Sequence, residues 1–416
     1  MLRHVLLFVC LAMAATNDIF AAGQGLVRPS RVGMSADRLA RIQPFMKQYI
    51  DNGDLAGIVT LVARNGKIVH FEKTGKLNVE TGEEIELDSL FRIYSMTKPI
   101  VSVALMMLYE QGKFGLDEPV SKYLPAFSET KVLVDGQEVE QEYEFTIRNL
   151  LSHTAGLTYG VLGDTDVDKM YREAKILSNK DLAEMVSLLG NIPLLYQPGT
   201  KWVYSVSVDV AGRLIEVLSG YPLDEYLDRQ IFTPLDMEDT FFEVPSDKVS
   251  RFGTNHQRDR ETGKLTVIDR PADSRYTKQV TFFSGGGGLV STAGDYFKFS
   301  QMLLNGGEAN RVRLLSPKTI ELMTRNHLPT GVSSGFGERP GVAGTFGFGL
   351  GFGVATSAPL TTHGSAGTYT WGGAAGTIFW VDPKENLTAI LMVQMMRNPV
   401  PLRSQFRTLV YSAIVD

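Results

Sequence analysis

After Ser35, apolar residues at Leu39, Ile42, Phe45, Met46, Tyr49 and Ile50 recur at the spacing of one helix face. Ser35 supplies an N-cap hydroxyl, and Pro44 disturbs the helix part-way along. The period then changes. Ile58-Val59-Thr60-Leu61-Val62 and Lys67-Ile68-Val69-His70-Phe71 flank Asn65-Gly66, which predicts a tight β-hairpin. A second hairpin is expected over 131–144 around Asp135-Gly136. From about 146 to 251 the pattern is helical, with helices predicted over 181–189, over 208–218 closing at Gly220, and over 223–232. From Gly285 onward the chain is rich in glycine and reads as strand, most clearly over 377–382 and 387–395, before a last helix over 402–415.

Strands near both chain ends with helices between them predict an α/β (α+β) fold. One antiparallel sheet is built by both ends and covered by helices, and a mostly helical lobe is inserted in the middle. The expected division is an α/β lobe at about 23–110 and 255–416 and a helical lobe at about 111–254, together one domain from 23 to 416. Composition agrees with a folded chain, being 44% apolar and 21% charged. Forty-one Lys and Arg against 46 Asp and Glu give a net charge of −5, which argues against a nucleic-acid partner. The most basic stretch, 251–264, mixes acids among its arginines and reads as a solvated loop.

Residues 1–22 have a basic start at Arg3 and His4, an apolar run over 5–15 and small residues at the end. That is the layout of a secretory signal peptide, cut near Ala22 with Ala14 as the alternative, and it places the mature protein in the periplasm or outside the cell. The run is well short of the ~20 residues a spanning helix needs. Cys10 is the only cysteine and leaves with the leader. The mature chain then has no disulfide, no thiol nucleophile and no thiolate metal site. Six histidines, His4, His70, His153, His256, His327 and His363, are scattered without metal-ligand spacing, so no metal and no cofactor is expected.

The candidate chemistry begins at Ser95-Met96-Thr97-Lys98, followed by Pro99 and an apolar run through Leu108. Residues three apart on a helix share a face, so Lys98 stands beside the Ser95 hydroxyl. A serine hydroxyl needs a neighbouring base to act as a nucleophile, and burial tunes a lysine toward that task. Alone this spacing also fits a helix cap followed by a surface lysine.

With the stretches Leu150 to Leu157, Pro198 to Ser205, Ile231 to Met237, Gly285 to Asp295 and Trp371-Gly372-Gly373 in the same order, the chain resembles the serine β-lactamase and penicillin-binding family. Within it the likeness is to the class C-like branch, nearest the family VIII carboxylesterases, and it runs from about residue 30 to the C-terminus. The resemblance implies that Ser95 is acylated, that Lys98 is its proton partner, and that Tyr204 is the second general base. It further implies that Trp371, Gly372, Gly373 and Ala374 line the substrate, the Ala374 and Ser95 backbone N–H groups facing the carbonyl oxygen. Where β-lactamases of this class carry Tyr-x-Asn, this chain has Val206. Where they carry Lys-Thr-Gly it has Trp371-Gly372-Gly373, an apolar wall without charge.

The function implied is a serine hydrolase cleaving carboxylic esters through an acyl-enzyme on Ser95. Its partner is a small-molecule ester or lactam, and its oligomeric state is left open. Alternatives on the same site are a β-lactamase or D-amino-acid peptidase and an acyltransferase; a non-catalytic acyl-binding sensor is the alternative of another class. Gly331-Val332-Ser333-Ser334-Gly335 matches a nucleophile elbow but follows Pro329 and leads into a loop, not a helix. His153 reads as a packing residue, and His363 is a candidate to line the cleft.

Overall fold

The computed structural model describes residues 25–416 apart from 260, 336–344, 360–362 and 399; the expected leader at 1–22 lies outside the described residues. Strands Gly57–Arg64 and Lys67–Gly75 meet at Asn65 and Gly66, whose φ angles are 52° and 69°. Two successive left-handed residues are what the tightest hairpin turn requires. On its other edge Gly57–Arg64 pairs antiparallel with Leu387–Val393, Ile58 opposite Val393 and Arg64 opposite Leu387. The result is a seven-stranded sheet in the order Phe346–Phe348, Gly353–Ala355, Tyr369–Gly372, Ile378–Asp382, Leu387–Val393, Gly57–Arg64, Lys67–Gly75. Every neighbouring pair is antiparallel, so both chain ends build one sheet.

Every residue of the paired strands Gly57–Arg64 and Leu387–Val393 is buried, because helices cover both faces. Alternation along the strands sorts them between two cores. Val59, Leu61, Ile390 and Met392 join the core that contains the helices Thr97–Glu110 and Ala293–Leu304. Ile58, Val62, Leu391 and Val393 pack with Ile42, Met46, Leu402 and Phe406 of the terminal helices Ile42–Asp51 and Leu402–Ser412. The N-terminal helix is in two pieces, Ala36–Leu39 capped by Ser35 and then Ile42–Asp51. Pro44 thereby falls in the first turn of the second piece, where its missing N–H costs no helical bond. Among the described residues no helix is long and apolar enough to cross a membrane.

Several expectations are corrected. The region after Gly285 is not uniformly strand: it contains the helices Ala293–Leu304 and Pro317–Met323, capped by Thr292 and Ser316. The glycines at 285–288 form a turn outside the sheet. Phe346–Phe348 and Gly353–Ala355 form an antiparallel pair at the edge of the sheet. Strand Tyr369–Gly372 ends before Gly373, so Ala374 lies in the following turn. The last helix stops at Ser412.

Candidate active site

Ser95 occupies a single 3-10 turn, Tyr94–Met96, that runs straight into the helix Thr97–Glu110. Tyr94 has φ 44°, a strained conformation for a bulky residue that only fixed surroundings maintain. Those surroundings are specific. The Ile93 N–H donates to Leu289 O at 3.1 Å, and the Tyr296 hydroxyl donates to Met96 O at 2.9 Å. The Leu289 N–H donates to Thr97 Oγ1 at 3.1 Å, and Asn255 Nδ2 donates to the Tyr94 hydroxyl at 2.8 Å. Ser95 itself is only half-buried.

Thr97 through Leu108 are all buried, so the helix carries Lys98 into the interior. A helix apolar on every side belongs inside a protein, and a lysine there needs acceptors for its charge. Lys98 Nζ donates to the Tyr159 hydroxyl at 2.7 Å and to Gly286 O at 2.5 Å. The turn that offers Gly286 O is held by Asp209, a buried acid in the first turn of the helix Ser207–Ser219. Asp209 Oδ1 accepts from the Gly286 N–H at 3.0 Å and from the Ser284 hydroxyl, while Oδ2 has no hydrogen-bond partner among the described residues. Burial raises the Asp209 pKa and the Lys98 charge opposes that rise. A side chain on Gly286 would collide with Asp209 and with the Tyr159 hydroxyl.

Tyr204 approaches from the opposite side on an irregular segment laid along 153–158. The Val203 N–H donates to His153 O at 2.9 Å and the Val206 N–H to Thr158 O at 3.3 Å. Its ring centroid is 4.6 Å from Lys98 Nζ. Its hydroxyl accepts from Trp371 Nε1 at 3.3 Å and is hydrogen-bonded to Tyr159. Burial, then the neighbouring Tyr204 and Asp209, raise the Tyr159 pKa well above its ordinary value. Tyr159 therefore stays protonated; its oxygen accepts from Lys98, and its ring lies 5.3 Å from that of Tyr204. Trp202, Phe348 and Trp371 complete an aromatic wall, with centroids of Tyr204–Trp371 at 5.4 Å and Phe348–Trp371 at 5.1 Å.

His153 is fully buried in the same wall, 4.9 Å from the Tyr204 ring, with Nδ1 3.2 Å from Ser205 Oγ. Burial, with the Lys98 charge adding to it, holds its pKa well below the imidazole range, so it is a neutral packing residue. His363 is exposed and stacks on Tyr411 at 6.3 Å, apart from this cluster. Ser333 lies in irregular chain and its hydroxyl donates to Ser334 O at 3.1 Å. Val206 is buried.

The strand that carries Trp371 closes the site through its glycines. A Cβ on Gly373 would sit 2.5 Å from Ile93 O and collide with Thr377 Oγ1, so only glycine lets this strand end lie against the Ser95 turn. Ala374 is exposed. Among the described residues, neither its backbone N–H nor that of Ser95 reaches an acceptor. A cavity of about 300 Å³ borders the cluster at Ser284 and Gly288, with Phe242, Tyr276, Val280 and Phe282 in its lining. No group of His, Cys, Asp and Glu among the described residues could hold a metal.

Sequence reasoning missed Tyr159 and Asp209. The signal for Asp209 was present, an acid between Val208 and Val210 in an otherwise apolar first turn. Tyr159 had only its setting between Gly156 and Gly160.

Comparison with known proteins places the chain. The Beta-lactamase family model matches residues 41–411. Esterase EstB of Burkholderia gladioli is 31% identical over 402 residues, covering 91% of this chain and 96% of that protein. Lovastatin esterase of Penicillium rubens is 28% identical, covering 83% and 90%. Among solved structures, EstCE1, described as a hydrolase with promiscuous acyltransferase activity, superposes with a TM-score of 0.79 at 28% identity, covering 90% of this chain and 99% of its own.

Proposed function

The chain belongs to the Beta-lactamase family and is a serine hydrolase of carboxylic esters; from that premise we propose that Ser95 carries the acyl group, with Lys98 and Tyr204 as its proton partners. The observation that carries the residue assignment is the Tyr204 oxygen. It accepts from Trp371 Nε1 at 3.3 Å, Tyr159 packs against it with ring centroids 5.3 Å apart, and Lys98 Nζ lies 4.6 Å from its ring.

Tyr204 acts as a phenolate beside the Lys98 ammonium: Ser95 Oγ adds to the ester carbonyl while its proton passes to the Tyr204 oxygen. Negative charge gathers on the carbonyl oxygen, opposite the Ser95 and Ala374 N–H groups. The C–O bond to the leaving alcohol breaks, and the alkoxide takes the proton from Tyr204. Water then adds to the acyl-enzyme by the same route, and the carboxylic acid departs. Lys98 keeps a positive charge beside each proton transfer, and preorganised charge of this kind usually contributes most to such catalysis. Trp371 does more than form a wall, since its indole N–H orients the base.

Turnover of p-nitrophenyl acetate and butyrate, with Ser95→Ala alongside, tests the assignment. The wild type is expected to hydrolyse both and the variant neither; undiminished activity in the variant would overturn it. A second reading, transfer of the acyl group to an alcohol, is favoured by the aromatic wall of Trp202, Phe348 and Trp371, which offers an organic acceptor a dry face that water cannot use. Product analysis with added 1-butanol distinguishes the two. β-Lactam turnover is expected to be slow, because Val206 and Gly372 provide no side-chain hydrogen bond. Export rests on the 1–22 leader, and N-terminal sequencing of the secreted protein checks it.

A further inference from the structure

We infer that Arg403, on the C-terminal helix, is a positioning residue for catalysis: its guanidinium fixes and polarises the Gly373–Ala374 peptide whose N–H faces the developing oxyanion. The inference rests on the ester-hydrolase reading above.

Arg403 Nη2 donates to Gly373 O, and to Thr377 O at 2.9 Å, while Nε donates to Gly376 O at 3.2 Å. One rigid fork thus gathers the carbonyls of the turn that follows Trp371-Gly372. The bond to Gly373 O matters most. The carbonyl of residue 373 and the N–H of residue 374 are two ends of one planar amide. A cation bound at the oxygen draws electron density along that amide and leaves the N–H a stronger donor. It also prevents the peptide from flipping its N–H away from the substrate. The Gly376 N–H adds a second bond to Gly373 O at 3.1 Å, so the amide is loaded from one side while its N–H is left without a protein acceptor.

Two further observations agree. A Cβ on Gly372 would lie 2.9 Å from Arg403 Cζ, so the glycine is what lets the guanidinium come this close to the strand. Arg403 also sits in the first turn of the helix Leu402–Ser412, the end where the helix dipole disfavours a cation. Helix stability therefore does not account for an arginine there. Leu402 and Phe406 anchor that turn in the terminal core, Phe406 against Trp380 at 5.4 Å. A strand with no charged side chain of its own at 371–374 thus obtains positive charge from a helix some 30 residues later in the sequence.

The test compares wild type, Arg403→Met and Arg403→Lys with p-nitrophenyl butyrate. The acyl carbonyl stretch is also followed by infrared difference spectroscopy, using p-nitrophenyl trimethylacetate labelled with carbon-13 at its carbonyl. Arg403→Met is expected to lower kcat about 10- to 100-fold, less than the full loss of an oxyanion donor, with KM within about twofold. The acyl carbonyl band should move to higher frequency as its hydrogen bond weakens. Arg403→Lys, which keeps the charge but not the fork, should fall between the two in both readouts, and it remains informative if the Met variant does not fold. An unchanged kcat, or a carbonyl band at the wild-type frequency, would overturn the inference. If instead the wild type is inactive, or Ser95→Ala still forms the labelled acyl-enzyme, the assignment of Ser95 fails, and that result is distinct.

Discussion

The two walls of the site are made of different materials. On the helix side, Lys98, Tyr159, Tyr204 and Asp209 do their work with side chains, each tied to a named partner in a largely dry interior. On the strand side, the groups proposed to face the substrate are backbone N–H groups, and the side chains nearest them are absent at Gly372 and Gly373 or distant in sequence at Arg403. Proton transfer needs groups that gain and lose a proton, so residue identity is constrained. Charge stabilisation needs only aimed dipoles, so geometry is constrained and side chains are free to differ. In the proposed reaction the first wall carries the proton transfer and the second the charge on the carbonyl oxygen.

Substitutions on the helix side are expected to act most strongly. Lys98→Met removes the buried cation and should lower kcat for p-nitrophenyl butyrate by about 10⁴-fold, in the range seen when a member of a catalytic set is lost. Tyr204→Phe should follow at about 10²- to 10⁴-fold, the usual worth of a general base. If either variant kept a tenth of wild-type activity, the division between the walls would not hold.

Tyr159→Phe keeps the ring but removes the hydroxyl between Lys98 and Tyr204. A hydrogen bond to a charged group is worth about 1.5–3 kcal/mol, so kcat should fall about 10- to 150-fold with little change in thermal stability. A large fall in melting temperature without a kinetic effect would make Tyr159 structural only. Gly373→Ala probes the other wall. Its Cβ would meet Ile93 O at 2.5 Å, and overpacking of this kind costs about 1–3 kcal/mol. Both stability, by urea denaturation, and kcat should drop; wild-type values in both would mean that the strand does not lie tight against the Ser95 turn.

The effects expected to touch activity least are pH effects on stability, and they test how dry the interior is. Burial holds His153 well below the imidazole range and His70 down to about 4. Unfolded, both protonate below about pH 6.5. Below that pH the unfolded chain binds more protons, so the stability these neutral histidines contribute is complete above about 6.5 and is lost as pH falls toward 4. The loss is up to about 1.4 kcal/mol per pH unit for each histidine. His70→Gln, on the sheet, should flatten the fall in urea midpoint between pH 6.5 and 4.5. His153→Gln should flatten it as well while leaving the acid limb of kcat/KM in place, since a histidine that stays neutral does not set that limb. A displaced limb would give His153 a catalytic part.

The same contrast explains what was legible in the sequence. Asn65-Gly66, Asp135-Gly136 and Gly220 report backbone conformations that few other residues adopt, and each turn or cap lies where the residues indicate. The serine, lysine and tyrosine motifs stood out because the proposed chemistry tolerates few substitutes, and the fold brings Lys98 Nζ to 4.6 Å from the Tyr204 ring. The helix Ala293–Leu304 was not read, although Thr292 caps it by accepting from the Asp295 N–H at 3.1 Å; the glycine run before it dominated the pattern. Arg403 was illegible for a deeper reason. An arginine on an amphipathic helix reads as a solvated residue, and Arg403 stays exposed; what the sequence hides is the turn at 373–377 whose carbonyls it gathers. Trp371 was read as an apolar surface, because its indole N–H has a purpose only once Tyr204 arrives from 167 residues away.

The most direct measurement is the mass of the intact protein after reaction with a fluorophosphonate, followed by peptide mapping. One adduct per chain is expected, on Ser95, and it should be strongly slowed in Lys98→Met. An adduct on Ser333, or no adduct at all under conditions where the ester is turned over, would contradict the assignment of the nucleophile.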